Sequence, residues 1–212
     1  MSMLLDAKNA LSLLACGEWS EFILRIRIHR QKIDLRNTYL DELQLPEDRC
    51  HYYANSGGLH LHRVLRALGI TARDAVIDFG SGKGGALITL SRYPFARILG
   101  VEIAPELVAV ARNNVAKLGI ANVEMVVADA ADFTDLDDFN YFYFFSPFPG
   151  AVMRAVMDNI CASLARRPRP ATVIYFNPEF HDEVIAGAHF FKIREFDHHP
   201  LRFFIYRNQT QP

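Results

Sequence analysis

The chain is short of cysteine, of tryptophan and of any surplus charge. Its 212 residues hold one tryptophan and three cysteines, Cys16, Cys50 and Cys161. Cysteines so few and so widely spaced make neither a disulfide framework nor a zinc pattern, and no metal is expected. Lys and Arg number 23 against 24 Asp and Glu, a net charge of −1. No global field therefore draws the chain to nucleic acid, which is not expected as a partner. No apolar run approaches the ~20 residues of a membrane span. Met1 to Leu14 carries Asp6 and Lys8 and lacks the layout of a signal peptide, so the expected location is the cytoplasm. There is no internal repeat and no long low-complexity segment. Half of the residues are hydrophobic, enough to bury one full core.

What the chain does have is the run Val76-Ile77-Asp78-Phe79-Gly80-Ser81-Gly82-Lys83-Gly84-Gly85. An apolar strand ends, a glycine-rich turn follows, and Ala86 to Leu90 continues as a helix. This makes a cradle for a nucleotide-like ligand: glycine reaches φ > 0 and admits backbone close to the ligand, and a helix start offers free N–H groups. Gly80, Gly82 and Gly85 satisfy the dinucleotide pattern G-x-G-x-x-G. Counted from Asp78, Gly80, Gly82 and Gly84 equally satisfy D-x-G-x-G-x-G. Two further strands also end in acids: Arg97 to Val101 in Glu102, and Val123 to Val127 in Ala128-Asp129-Ala130. Between them, Pro105 opens a helix with an apolar face at Val108, Val110, Ala111, Val115 and Leu118, closed by Gly119.

Three acids at three consecutive strand ends, with the D-x-G-x-G-x-G loop, resemble the class I S-adenosyl-L-methionine (SAM) dependent methyltransferases over about residues 70–206. The resemblance implies an α/β, Rossmann-like doubly wound sheet of seven strands with an antiparallel last strand, plus amino-terminal helices. Two strand-like runs at His189–Phe196 and Leu201–Tyr206 fit its terminal hairpin, with His198, His199 and Pro200 in the turn. It implies SAM as cofactor and a methyl acceptor as partner. Cofactor-binding residues would be Asp78, Gly80, Ser81, Gly82 and Gly84 in the loop, Glu102 on the ribose hydroxyls with Ile103 after it, and Asp129 and Ala130 on the adenine. Asp129 would also serve as a helix N-cap. Residues 1–56 are expected as a helical extension and lid, and 57–212 as the methyltransferase domain. In the lid, Tyr52 or Tyr53 would pack near the sulfonium as a cation–π partner, with Tyr53 counted among the cofactor-binding residues, and Ser56 would hold the carboxylate.

The aromatic run Phe139 to Phe145 is expected as a buried central strand. It ends in Ser146-Pro147-Phe148-Pro149, whose first two positions match the Asn/Asp/Ser-Pro-Pro-aromatic motif of amine and amide methyltransferases. Ser146, Pro147 and Phe148 are therefore expected to bind substrate, Ser146 beside the cofactor as well. After the next strand, Asn177-Pro178-Glu179-Phe180 places Asn177 on the ligand side of the sheet, as a substrate contact or as a helix cap with Pro178 at the first helical position. His51, Tyr53 and Asn177 are the pocket residues considered. No side chain stands out as a catalytic base, and His60 and His62 read as ordinary helix residues. Residues 1–50 read as helices whose apolar face includes Phe22, Ile23, Ile26 and Ile33, and Arg25, Arg27, Arg30, Lys32 and Arg36 form a basic stretch. The function expected is SAM-dependent methyl transfer to a small molecule or a protein side chain. The Asp-x-Gly-Ser-Gly-Lys-Gly loop also looks like that of protein-lysine methyltransferases related to the nucleosome-core lysine enzymes. The alternatives are a non-catalytic SAM-binding partner protein and an NAD(P)-linked oxidoreductase. Oligomeric state is not legible in the sequence.

Overall fold

A computed structural model gives the fold, and the structure describes residues 13, 18–38, 53–145, 148–198 and 201–208. Five parallel strands form the frame: β1 (Ala75–Phe79), β2 (Arg97–Glu102), β3 (Val123–Val127), β4 (Tyr141–Phe145) and β5 (Thr172–Phe176). β6 (Phe190–His198) and β7 (Leu201–Asn208) complete a seven-stranded sheet in the order β3-β2-β1-β4-β5-β7-β6, with β7 antiparallel to both its neighbours. The chain turns outward in both directions from β1. The carboxyl ends of β1, β2 and β4 therefore flank the switch point, where open α/β sheets bind ligands.

β1 and β5 are buried at every position, as strands covered on both faces are, and β1 carries Asp78 as its one charged residue. Alternate residues feed opposite faces. Ile77, Phe79, Leu99, Val101, Phe142, Phe144, Val173 and Tyr175 share one core with helix α5 (Gly150–Arg166). Val76, Ile98, Tyr141, Tyr143, Ile174 and Phe176 share the other with α2 (Leu59–Arg66) and α3 (Gly85–Leu90). Helix α4 (Pro105–Lys117) packs on β2 and β3, and α6 (His181–Ile185) lies between β5 and β6.

Three expectations are corrected. β4 starts at Tyr141 rather than Phe139, because the Asn140 side chain is committed locally: its Oδ1 accepts from the Ala75 N–H (2.9 Å) and its Nδ2 donates to Asp74 (2.7 Å). Asn177 does not cap a helix starting at Pro178. It takes a positive φ of 50°, and α6 begins only at His181. Of the apolar face expected on the amino-terminal helix α1 (Trp19–Arg30), Ile23 and Ile26 are turned to solvent, 56% and 40% exposed, while Phe22 is half-buried. Charge docks this helix instead. Glu21 is buried and paired with Arg92, Glu18 faces Arg63 and Arg66, and the Arg27 guanidinium donates to the Leu118 carbonyl (2.7 Å).

Candidate cofactor and acceptor site

The glycine loop folds back on the end of β2. Gly80 and Ser81 N–H groups both donate to the Val101 carbonyl (2.9 and 3.1 Å). Gly80, Gly82 and Gly84 all sit at positive φ, so the turn demands residues without a Cβ penalty. At Gly82 the demand is also steric: a Cβ there would lie 2.1 Å from the Tyr53 ring. Tyr53 thus covers the loop, held by paired backbone bonds with Thr38 (2.9 and 3.2 Å) and packed on Ala104 and Leu107 at the start of α4.

Beneath this lid lie two buried carboxylates. Glu102, 7% exposed, accepts from the Gly82 N–H (2.8 Å) through one oxygen and from the Ala104 N–H (3.0 Å) through the other. Burial raises its pKa, opposed by those amides and by that of Ile103. Asp78 is 2% exposed, and its Oδ2 has no hydrogen-bond partner among the described residues. Burial, with the charge of Glu102 adding to it, pushes Asp78 well above the ordinary carboxylate range. Burial followed by the charges of Asp78, Asp34 and Glu102 also raises the Tyr53 phenol, whose oxygen is likewise unpartnered. Ser81 Oγ is a third bare buried atom; it abuts Gly100, where a Cβ would stand 2.7 Å away. Native interiors leave few polar groups unpaired, and each one marks an unmet ligand or strain. Here three such atoms belong to the loop, the strand leading into it and its lid. A ligand with cationic and hydrogen-bonding groups satisfies them, and SAM, with its ammonium and sulfonium, is of that chemistry. A pyrophosphate would add charge beside an already frustrated Asp78.

The remaining expected cofactor residues fall in place to different degrees. Asp129 caps the 3-10 turn Ala130–Asp132, its Oδ1 accepting from the Ala131 N–H (2.9 Å), and Ala130 is buried. Ile103 lies half-buried between Glu102 and Ala104. The Ser56 carbonyl accepts from the Tyr143 hydroxyl (3.4 Å), anchoring the lid to β4. Ser146, Pro147 and His51 lie outside the described residues. Phe148 is a core residue: 3% exposed, its ring stands edge-on to Phe144 at 6.3 Å between centroids. The expected wall of an acceptor pocket is thus packed into the core shared with α5. Asn177 donates from Nδ2 to Glu179 (3.0 Å) and from its backbone to the Arg202 carbonyl (2.8 Å).

Sequence reasoning missed the clamp that fastens the amino-terminal arm to the glycine loop. Lys83, 6% exposed, donates from Nζ to Asp34 (3.2 Å) and to the Arg36 carbonyl (2.9 Å), and stands 5.6 Å from the Tyr53 ring centroid. Burial pushes Asp34 up, but hydrogen bonds from the Arg36 side chain and backbone and from Lys83 outweigh it and hold the carboxyl at about 2. Asn114, fully buried, donates to the carbonyls of Asp34 (2.8 Å) and Lys83 (3.1 Å) and accepts from the Asp34 N–H (3.1 Å). The available signal was Asn114 itself, a polar residue one position before Val115 and three after Ala111 on the apolar side of α4.

Comparison with known proteins agrees with this geometry. Residues 70–172, just under half of the chain, match the family model of a methyltransferase domain. The chain is similar to EEF1A lysine methyltransferase 2 of Danio rerio, 29% identical over 72 residues, which are 32% of this chain and 31% of that protein. It is also similar to a tRNA (guanine-N(7)-)-methyltransferase of Pediococcus pentosaceus, 35% identical over 60 residues, 28% of each. The matched stretch thus spans about a third of these relatives or less. Among solved structures, an RNA methyltransferase from Salinibacter ruber in complex with S-adenosyl-L-homocysteine superposes with a TM-score of 0.55 at 19% identity, over 72% of this chain and 92% of that one. A SAM-dependent methyltransferase from Aquifex aeolicus gives 0.57 at 18% identity, over 69% and 88%. These likenesses establish the fold. Among the described residues no helix is long and apolar enough to cross a membrane, and no group of three or more His, Cys, Asp or Glu side chains is placed to hold a metal ion.

Proposed function

We infer, for a chain whose residues 70–172 belong to the methyltransferase-domain family and fold as class I SAM-dependent methyltransferases do, that it transfers a methyl group from SAM to a nucleophile on a small molecule or a protein side chain in the cytoplasm. The observation that carries the reading is Asp78, a fully buried carboxylate with an unpartnered oxygen at the mouth of a glycine loop. When bound, SAM supplies the methyl on a positively charged sulfur, a leaving group that needs no activation by the protein. The chain's own residues then bind, orient and exclude water. Asp78 meets the cationic end. Glu102 faces the ribose, exchanging part of its hold on backbone amides for the sugar hydroxyls. Ile103, Asp129 and Ala130 bracket the adenine. Tyr53 closes over the loop and brings its ring near the sulfonium, while Ser56 fixes the lid. Ser146, Pro147 and Asn177 form the acceptor side.

The test is methyl-labelled SAM incubated with the full chain and, separately, with pools of small metabolites and with protein lysates. Label appearing in either pool, and lost with Asp78→Asn, supports the reading. Saturable binding of NAD(P) with none of S-adenosylhomocysteine replaces it with a hydride-transfer enzyme.

A further inference from the structure

A cavity of about 860 Å³ lies between α1, the segment after it, and the start of α3, and meets the cofactor cradle at Gly85. Its volume falls within the ~300–1,000 Å³ of small-molecule sites. Two kinds of side chain line it. Leu24, Ile28, Ile33, Leu35 and Ile88 supply apolar walls. Arg25, His29, Arg30 and Lys32 supply an exposed basic rim, and none of them has an ion-pair partner among the described residues. The one acid in the lining, Glu21, is buried and already paired with Arg92. The cavity's positive charge is therefore uncompensated from within. His60 adds a buried, unpartnered Nδ1 to the lining. Asn55, Gly57 and Gly58, from the same lid segment as Tyr53 and Ser56, form its remaining wall.

We propose that this cavity binds a small amphipathic anion, with its apolar body against Leu24, Ile28 and Ile88 and its carboxylate, sulfonate or phosphate head among Arg25, Arg30 and Lys32. A wholly polar polyanion would leave the apolar walls unused, and a neutral apolar ligand would leave the cations unmet. The lid contact gives the ligand a physical connection to the cofactor cradle. Gly57 presses so closely on the start of α3 that a Cβ on it would lie 2.1 Å from the Gly85 carbonyl oxygen, and the Gly58 N–H donates to Thr89 (2.8 Å). Filling the cavity therefore bears on the lid that also covers the glycine loop.

The probes are 8-anilinonaphthalene-1-sulfonate, read by fluorescence on the full chain, and dodecanoate as competitor. One saturable site is expected, emptied by dodecanoate and at least about tenfold less well by dodecan-1-ol, since the head meets charged donors. Arg25→Glu with Arg30→Glu, both on the solvent side of α1, should weaken dodecanoate by about tenfold or more on the same grounds. Ile28→Asp, which puts a like charge on the apolar wall, should weaken both the fluorescent probe and dodecanoate. A cooperative thermal melt without ligand serves as the fold check for every variant. Absent saturable binding, equal competition by the alcohol, indifference to charge reversal, or displacement by a short RNA oligonucleotide but not by dodecanoate would each overturn the proposal. Loss of the S-adenosylhomocysteine response alone would count against the cofactor assignment and leave the cavity assignment standing.

Discussion

The two halves of the sheet's carboxyl edge are built by different means. On the β1–β2–β3 side, the strand-end acids Glu102 and Asp129 and the glycine loop are positioned by backbone hydrogen bonds made within the first three strand units. Glu102 is held by the amides of Gly82 and Ala104, Asp129 by that of Ala131, and the glycine loop by Val101. On the β4–β5–β7 side, the corresponding residues are placed by side-chain packing and by the late strand β7. Phe148 is drawn into the core beside Phe144, and Asn177 takes a left-handed turn tied to β7. A cofactor cradle can thus be written in short motifs. An acceptor side depends on what the rest of the chain stacks against it.

The sharpest way to separate the halves is to truncate one residue from each. Phe148→Ala removes a fully packed ring and should lower stability by about 3–5 kcal/mol, as large-to-small core changes do. Denaturant unfolding checks this, and the surviving folded fraction should bind S-adenosylhomocysteine normally. A stable Phe148→Ala protein would return the residue to the pocket wall.

Glu102→Ala reverses the pattern. The fold should survive, while S-adenosylhomocysteine affinity falls by roughly 1.5–3 kcal/mol, about ten- to a hundredfold, through the loss of charged acceptors. Calorimetry reads this directly. An unchanged affinity would leave Glu102 as a structural clamp on Gly82 and nothing more.

Asp78 makes the same contrast through pH. Its folded pKa is raised, so its native form holds a proton that the unfolded chain releases above the ordinary value of 3.8. Stability is then full below that value and falls as pH rises toward the folded pKa. Asp78→Asn removes this liability. The melting temperature of the ligand-free variant, relative to the parent, should climb as pH rises above about 4. A difference flat with pH would mean that Asp78 is ionised at no cost.

The smallest effect belongs to the arm. Lys83→Met releases Asp34 and Arg36 from the glycine loop at a cost on the order of 1–3 kcal/mol, the range for hydrogen-bonding groups left without their partner. Because Asp34 is held at about 2, its favourable contribution is present above 3.8 and is lost as pH falls toward 2. In Lys83→Met that acid loss should shrink, and trypsin should cut faster at the Arg25–Arg36 stretch. Unaltered proteolysis would mean that Asn114 alone holds the arm.

The contrast also explains what could be read from the sequence. The seven strands, the antiparallel last strand and the acids at the first three strand ends were legible, because apolar runs, glycine turns and terminal carboxylates are local signals. The docking of α1 was not. Ile23 and Ile26 have helical spacing, but ion pairs at Glu18 and Glu21 rotate that face to solvent, and nothing in the spacing weighs charge against burial. The Lys83–Asp34 clamp spans 49 positions, and Asn177-Pro178 reads as a helix start that the turn into α6 overrides. These are tertiary outcomes, decided by partners that no local pattern names.

Isothermal calorimetry of the full chain with S-adenosylhomocysteine, run beside Asp78→Asn and beside NAD(P), tests the central claim most directly. The account expects one saturable site for S-adenosylhomocysteine, at least about tenfold weaker in Asp78→Asn, which cannot ionise to meet the ligand's ammonium, and none for NAD(P). Equal binding by parent and variant, or saturable NAD(P) with no response to S-adenosylhomocysteine, would contradict it.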